Sequence, residues 1–363
     1  MKTLLLALAL TLCATPAFAA PAITQEGAEA LQKLAEAALT SQTTAYKNAG
    51  STLISEGRMV VEPAGTYYAL TTPQLSLKMP DGVTRSIGML AINAIPTEDP
   101  DTYKMAIALP TPMMDKNASG QTIGQIDIGS QTMNGLYHFN LQNFSELMAD
   151  YKNIRFASTT GPDYTIGSAA VQMTMDKAAL ETGKASGSFN ATLQDIGTDD
   201  TTLATLLPKQ VTARGLMTGV AATALNTPGG GSFLKKIFTA PGSRLVLQNT
   251  AIDGASYGVT ANGDLNGAPG TANGVSGTLH LAVRGLEALT QNVMQAAATA
   301  SPETQKTIQM VAPILLMMQM TGKVENGMRI YDLNLTPDGA FTLNGQPLGS
   351  VGNGSGTAPA TKN

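Results

Sequence analysis

The sequence predicts an α+β fold: a long, twisted antiparallel β-sheet, curved like a half-barrel, with helices packed on one face. Three observations predict it. The hydrophobic period changes from 3.6 to 2 at Gly57, a glycine-opened strand unit recurs at 135, 187 and 277, and the chain closes on an alternating hairpin.

The first element is a leader over 1–19. Lys2 is a short positive start, Leu4 to Leu12 is apolar except for Thr11, and Ala17-Phe18-Ala19 is a small-x-small cleavage box. The run is too short to span a bilayer, so the expectation is cleavage after Ala19, no retained transmembrane helix and a periplasmic location. Cys13 is the one cysteine, and Leu12 before it is too large for a lipid-attachment box. The processed chain therefore has no disulfide, although export leads to an oxidising compartment, and its fold must rest on its apolar core.

Residues 20–50 form an N-terminal amphipathic helix. Thr24 caps it, and Ala28, Leu31, Ala35, Ala38 and Leu39 make its apolar stripe. Residues 51–200 are an antiparallel β-rich region read as a meander. Its strands are punctuated by Pro63-Ala64-Gly65, Thr72-Pro73 and Pro80-Asp81-Gly82. Residues 201–244 read as a helix-and-loop connection, with helices at 203–207 and 213–225 and an interdomain hinge or exposed loop at Pro228-Gly229-Gly230-Gly231.

The repeat units start at Gly135, Gly187 and Gly277. In each, the third, fifth and seventh residues are apolar and share one buried face. The first and third pass to helix-like starts at Ser145-Glu146-Leu147 and Glu287-Ala288-Leu289. Residues 245–349 combine C-terminal β-hairpins with a Met-rich helix. Ser301-Pro302-Glu303 starts that helix, and Pro313 interrupts it. In the closing hairpin, Tyr331, Leu333 and Leu335 answer Phe341 and Leu343. Residues 350–363 read as a disordered tail.

Composition narrows function. The net charge is −4 with no basic stripe, so no nucleic-acid partner is expected. Charged residues are only 13%, Trp is absent, and Met numbers 18, which describes a soft aliphatic interior. His138 and His280 both fall at the fourth repeat position and read as solvent-face strand residues; the alternative is a metal or proton site paired across strands. The acidic clusters at Glu98-Asp99 with Asp101 and at Asp199-Asp200 read as solvated turns rather than Ca²⁺ sites. No nucleophile elbow or phosphate loop occurs. The reading is therefore not an enzyme, with no catalytic residue, cofactor or metal. Met310, Ile314, Leu315, Met317 and Met318 are the candidate lining of an apolar groove, with plain core packing as the alternative.

Two segments carry a resemblance. Met328 to Leu348, a strand, Asp338-Gly339 turn, strand and Asn344-Gly345-Gln346-Pro347-Leu348 ending, resembles the C-terminal signature of YdgA-like and related exported proteobacterial families. Gly277 to Leu289 looks like their recurring strand-to-helix unit, and also like that of AsmA-type envelope proteins. The likeness covers about residues 245–350. It implies a Gram-negative periplasmic protein with helices against the concave face of its sheet. AsmA-type relatives are associated with moving lipid across the envelope; this chain departs from them in its shorter length and in keeping no transmembrane helix. The function expected is therefore non-enzymatic binding of lipid or another amphipath in envelope maintenance. The alternative is an envelope scaffold or partner-binding module with a solid core, and the last is a hydrolase. Oligomeric state is not legible.

Overall fold

The structure, a computed structural model, describes residues 21–225, 238, 240–269, 274–298, 302–337 and 340–350. The leader, the Pro228–Gly231 segment and residues 351–363 lie outside them. The chain runs α1 (Gln25–Asn48), β1 (Thr52–Glu56), β2 (Val60–Ala64), β3 (Tyr67–Thr71), β4 (Gln74–Lys78), β5 (Thr84–Gly88), β6 (Ala91–Pro96), β7 (Thr102–Ala108) and β8 (Met113–Lys116). Long strands follow: β9 (Thr122–His138), β10 (Asn143–Ser158), β11 (Tyr164–Met175), then α2 (Lys177–Glu181), β12 (Lys184–Thr198), α3 (Thr201–Ala204) and β13 (Pro208–Ala221). Next come α4 (Ala222–Leu225), β14 (Arg244–Gly254), β15 (Gly258–Gly267), β16 (Val275–Arg284), α5 (Leu286–Ala297) and α6 (Pro302–Thr321). The chain closes with β17 (Lys323–Glu325), β18 (Met328–Leu335), β19 (Ala340–Leu343) and β20 (Gln346–Ser350).

All strands join one large, curved, unclosed antiparallel sheet. From β9 to β16 it is an up-and-down ladder of consecutive neighbours. It forks at β9. The C-terminal half of β9 pairs β7, leading to β6, β3 and β2, whereas its N-terminal half pairs β8, leading to β5, β4 and β1. The expected meander therefore holds in the long strands but not in the short ones. There, β1–β4, β3–β6 and β5–β8 pairings let two branches grow from one long strand.

Residues directly opposite in an antiparallel pair share a face, so the registers trace rows across the sheet. One row starts at Pro63, Tyr68, Ala94, Met105 and Gly135. It continues through Leu147, Met173, Phe189 and Gly215, then Leu247, Gly263, Leu279, Leu333 and Leu343. Every member is apolar or glycine. The glycines make room for large neighbours: a Cβ on Gly215 would lie 2.8 Å from the Phe189 ring, and one on Gly263 would lie 2.4 Å from Leu279 Cδ2. The next row joins Met175, Gly187, Met217, Leu245, Leu265, Gly277 and Leu335. It contains the opening glycines of the second and third repeat units, which therefore occupy equivalent places in the sheet.

The helices seal parts of these rows. α1 buries Ala28, Leu31 and Ala35 against Tyr68, Ala94 and Met105, and full burial of one leucine contributes about 2 kcal/mol. Thr24 Oγ1 caps α1 by accepting from the Gly27 amide at 3.0 Å. Leu180 of α2, Ala222 and Ala224 of α4, and Phe238 pack with Leu245, Leu265 and Val275. Leu286 and Val293 of α5 and Ile308, Ala312 and Leu315 of α6 pack with Val283 and Tyr331. The last carbonyls of α6 take donors from the sheet, Met318 O in addition to the Gly322 amide. Tyr331 OH donates to Met318 O at 2.6 Å, Asn344 Nδ2 to Thr321 O at 2.9 Å, and Arg329 Nη1 to Gln319 O.

Several expectations need correction. Residues 201–225 are not a helix-and-loop connection, because β13 fills most of the segment expected as a 213–225 helix. Its small residues, Ala213, Gly215 and Gly219, fit either period, and pairing with β12 and β14 on both sides decides for the strand. Ser145-Glu146-Leu147 starts no helix; it lies in β10, bonded to β9 and β11. Ser350 belongs to β20 rather than to a free tail.

Candidate functional site

The face opposite the apolar rows is mixed, and two cavities lie along it; another, of about 900 Å³, lies beside α1 between Thr24, Lys33, Tyr68 and Tyr103. One transverse row on it reads Ile95, Lys104, Leu136, Glu146, Thr174, Ser188 and Leu216. Its neighbour reads Asn93, Ala106, Asn134, Met148, Gln172, Asn190 and Arg214. Strand alternation puts these side chains on the far side from the helix-packed rows. Where the sheet curls, they line a trough of about 740 Å³ running from Tyr67 and Ile95 over Leu136 and Met148 to Gln172 and Thr174. The same Gln172 and Thr174 border a second hollow of about 430 Å³, which Ser188, Asn190, Arg214, Leu216 and Gln248 complete. Three large apolar side chains stand in water along this path: Ile95 is 42% exposed, Met148 56% and Leu216 44%.

The charges of the trough are few. Lys104 and Glu146 flank Leu136 in the row. Arg214 Nε donates to Asn190 Oδ1 at 3.1 Å, and among the described residues it has no carboxylate partner. Arg85, Arg155, Arg244 and Arg329, by contrast, each hold a carboxylate. A trough lined by apolar side chains with a few convergent polar groups suits an elongated amphipath.

A line of irregular positions crosses the sheet beyond the trough. Asn153 and Asp195 interrupt β10 and β12 in the left-handed region, at φ 53° and 55°. They face Gly129 and Gly167, whose Cβ atoms, if present, would meet Asn153 Cβ at 2.9 Å and Asp195 Cβ at 2.7 Å. Glycine is required at both places, and the line of irregularities crosses β9 to β12 beside a hollow of about 630 Å³.

The groove residues expected on the Met-rich helix are not brought to one surface. Leu315 is buried in the core, and Met318 packs against it. Ile314, 52% exposed, and Met317, 38% exposed, face away from the sheet; the Met310 side chain lies outside the described residues.

The histidines are not brought together either. His280 in β16 is exposed and bonds Asp332 Oδ1 through Nδ1 at 2.8 Å. His138 is not a solvent-face residue: it is 2% exposed, with Thr102 Oγ1 2.8 Å from Nδ1 and Ser145 Oγ 2.8 Å from Nε2. Both hydroxyl residues are buried too, so the contact stitches β7, β9 and β10 at the C-terminal end of β9. Burial, aided by nearby Lys177, pushes the His138 pKa down, with Asp99 and Glu181 opposing.

Neither a family model, nor a curated protein, nor a solved structure matches this chain.

The acidic clusters have structural partners. Asp200 caps α3 by accepting from the Thr202 and Leu203 amides, and Asp199 accepts from the Asp163 amide at 2.9 Å. Asp99 is held to about pKa 2, first by Lys177 Nζ at 2.8 Å and then by hydrogen bonds from Thr102 and the Asp101 amide. Among the described residues no three potential ligands gather in metal-binding geometry, and no helix is long and apolar enough to cross a membrane.

Sequence reasoning missed the trough. The available signal was Ile95, Met148 and Leu216, large apolar residues at the solvent positions of their strands.

Proposed function

We propose that this is an exported, non-enzymatic periplasmic protein whose curved sheet, with helices packed on one face, binds lipid or another amphipath in envelope maintenance. The trough carries this reading: about 740 Å³ of space with exposed Ile95 and Met148 along it, on a face where alternation calls for polar residues. Helix placement supports it. The row through Tyr68 and Met105 under α1 is the same register row that reaches Leu279 in the α2 and α4 cluster and Leu333 beside α5 and α6, leaving the opposite face to a ligand. The leader at 1–19 supports export, and the likeness of 277–348 to YdgA-like and AsmA-type sequences supports an envelope role. Native mass spectrometry of the protein purified without detergent tests the reading. Acyl-lipid adducts lost on Met148→Asp are expected; an adduct-free spectrum, with no uptake of added lipid, overturns it.

One observation favours a second reading, a partner-binding envelope scaffold. Residues 307–322 contain no charge, and the outward side of α6 exposes Ile314, Leu316, Met317 and Met320, the last 87% exposed. An uncharged apolar helix face is a common protein-docking surface. A defined complex lost on Met317→Asp, with lipid uptake unchanged, would favour it.

A further inference from the structure

Resting on the amphipath reading, we infer that the ligand is a single-chain amphipath with an anionic head, and that Arg214 binds that head. The 430 Å³ hollow at the β13 end of the trough is the polar end of one path. Arg214 projects there beside Asn190, Gln172 and Gln248, all able to donate hydrogen bonds. Its guanidinium spends one contact on Asn190 and, among the described residues, has no carboxylate to neutralise it. A guanidinium keeps its charge at every physiological pH and presents a fork of donors that matches a carboxylate or a phosphate.

From that end the lining turns apolar. The shared border of Gln172 and Thr174 leads to Met148 and Leu136. Four strand spacings separate β13 from β9, about 19 Å in all, slightly more than the roughly 15 Å filled by the acyl chains of one leaflet. A single acyl chain with its head at Arg214 therefore reaches about three spacings, to Met148 on β10, just short of Leu136.

The test is displacement of the neutral dye N-phenylnaphthylamine from the purified full-length protein by palmitate, lysophosphatidylglycerol or uncharged hexadecanol. Arg214→Gln is expected to weaken palmitate or lysophosphatidylglycerol at least tenfold, leave hexadecanol within twofold, and be largely rescued in Arg214→Lys. Which anion binds tighter separates a carboxylate head from a phosphate head. Equal weakening of all three competitors by Arg214→Gln overturns the assignment. If Arg214→Gln has no effect while Met148→Asp abolishes displacement, the anion site falls and the amphipath reading stands. If the unaltered protein takes up neither dye nor competitor, both fall.

Discussion

Gly187→Ala is the sharpest probe of the close strand packing that shapes the sheet. Gly187 lies at a bulge in β12 opposite Met175, and a Cβ there would lie 2.0 Å from Thr174 O and 2.8 Å from Met175 Cα. Both obstacles are backbone atoms, so no side chain can swing away. Overpacking of this kind costs about 3 kcal/mol at the upper end of its range. Removing a glycine also restricts the unfolded chain, which returns about 0.4–1 kcal/mol. The expected net loss is about 2 kcal/mol. Gly161→Ala is the control, since its Cβ would meet nothing nearer than Ser158 Oγ at 3.6 Å, leaving only the unfolded-state gain. The two variants should differ by about 3 kcal/mol, or about 1 M in urea midpoint for a slope near 3 kcal/mol/M. Urea unfolding followed by far-ultraviolet circular dichroism reads the difference. Midpoints agreeing to within about 0.2 M would refute the approach of β11 and β12 on which the register argument stands.

Three further outcomes follow from the packing. Asp99 has its pKa depressed to about 2, so its contact with Lys177 adds stability above its unfolded pKa near 3.8 and loses it as pH falls toward 2; Asp99→Asn should flatten thermal melts across that window. His138 has its pKa lowered, so the unfolded chain takes up the proton first and stability falls as pH drops below 6.5; His138→Gln should remove that part of the acid sensitivity in melts between pH 7 and 5. Tyr331→Phe deletes the 2.6 Å bond to Met318 O at the end of α6, which keeps the Gly322 amide, at a cost of about 1 kcal/mol, and hydrogen exchange at residues 318–322 should speed up before the sheet amides do.

Much of the fold was legible because the chain alternates strongly where it is long. The apolar positions of the second and third repeat units, Phe189, Ala191 and Leu193 and then Leu279, Leu281 and Val283, share one face in the register. The capped helix at Thr24 was legible for a local reason, a side-chain oxygen at the start of an apolar stripe. What failed was non-local. Nothing in 213–225 distinguishes strand from helix until β12 and β14 flank it, and nothing in 52–116 shows that β9 accepts two branches. The burial of His138 depends on Thr102 from β7 and Ser145 from β10 arriving on either side of its ring. The trough was hidden for the same reason: Ile95, Met148 and Leu216 are single exceptions in separate strands, and only the register lines them up.

Photo-crosslinking with a diazirine-bearing palmitate, followed by peptide mapping, asks most directly where an amphipath lies. Labels on β9, β10 and β11, around Leu136, Met148 and Gln172, are the expected result. Labels concentrated on α6 at Ile314 and Met317, or labelling that excess palmitate does not suppress, would contradict the account.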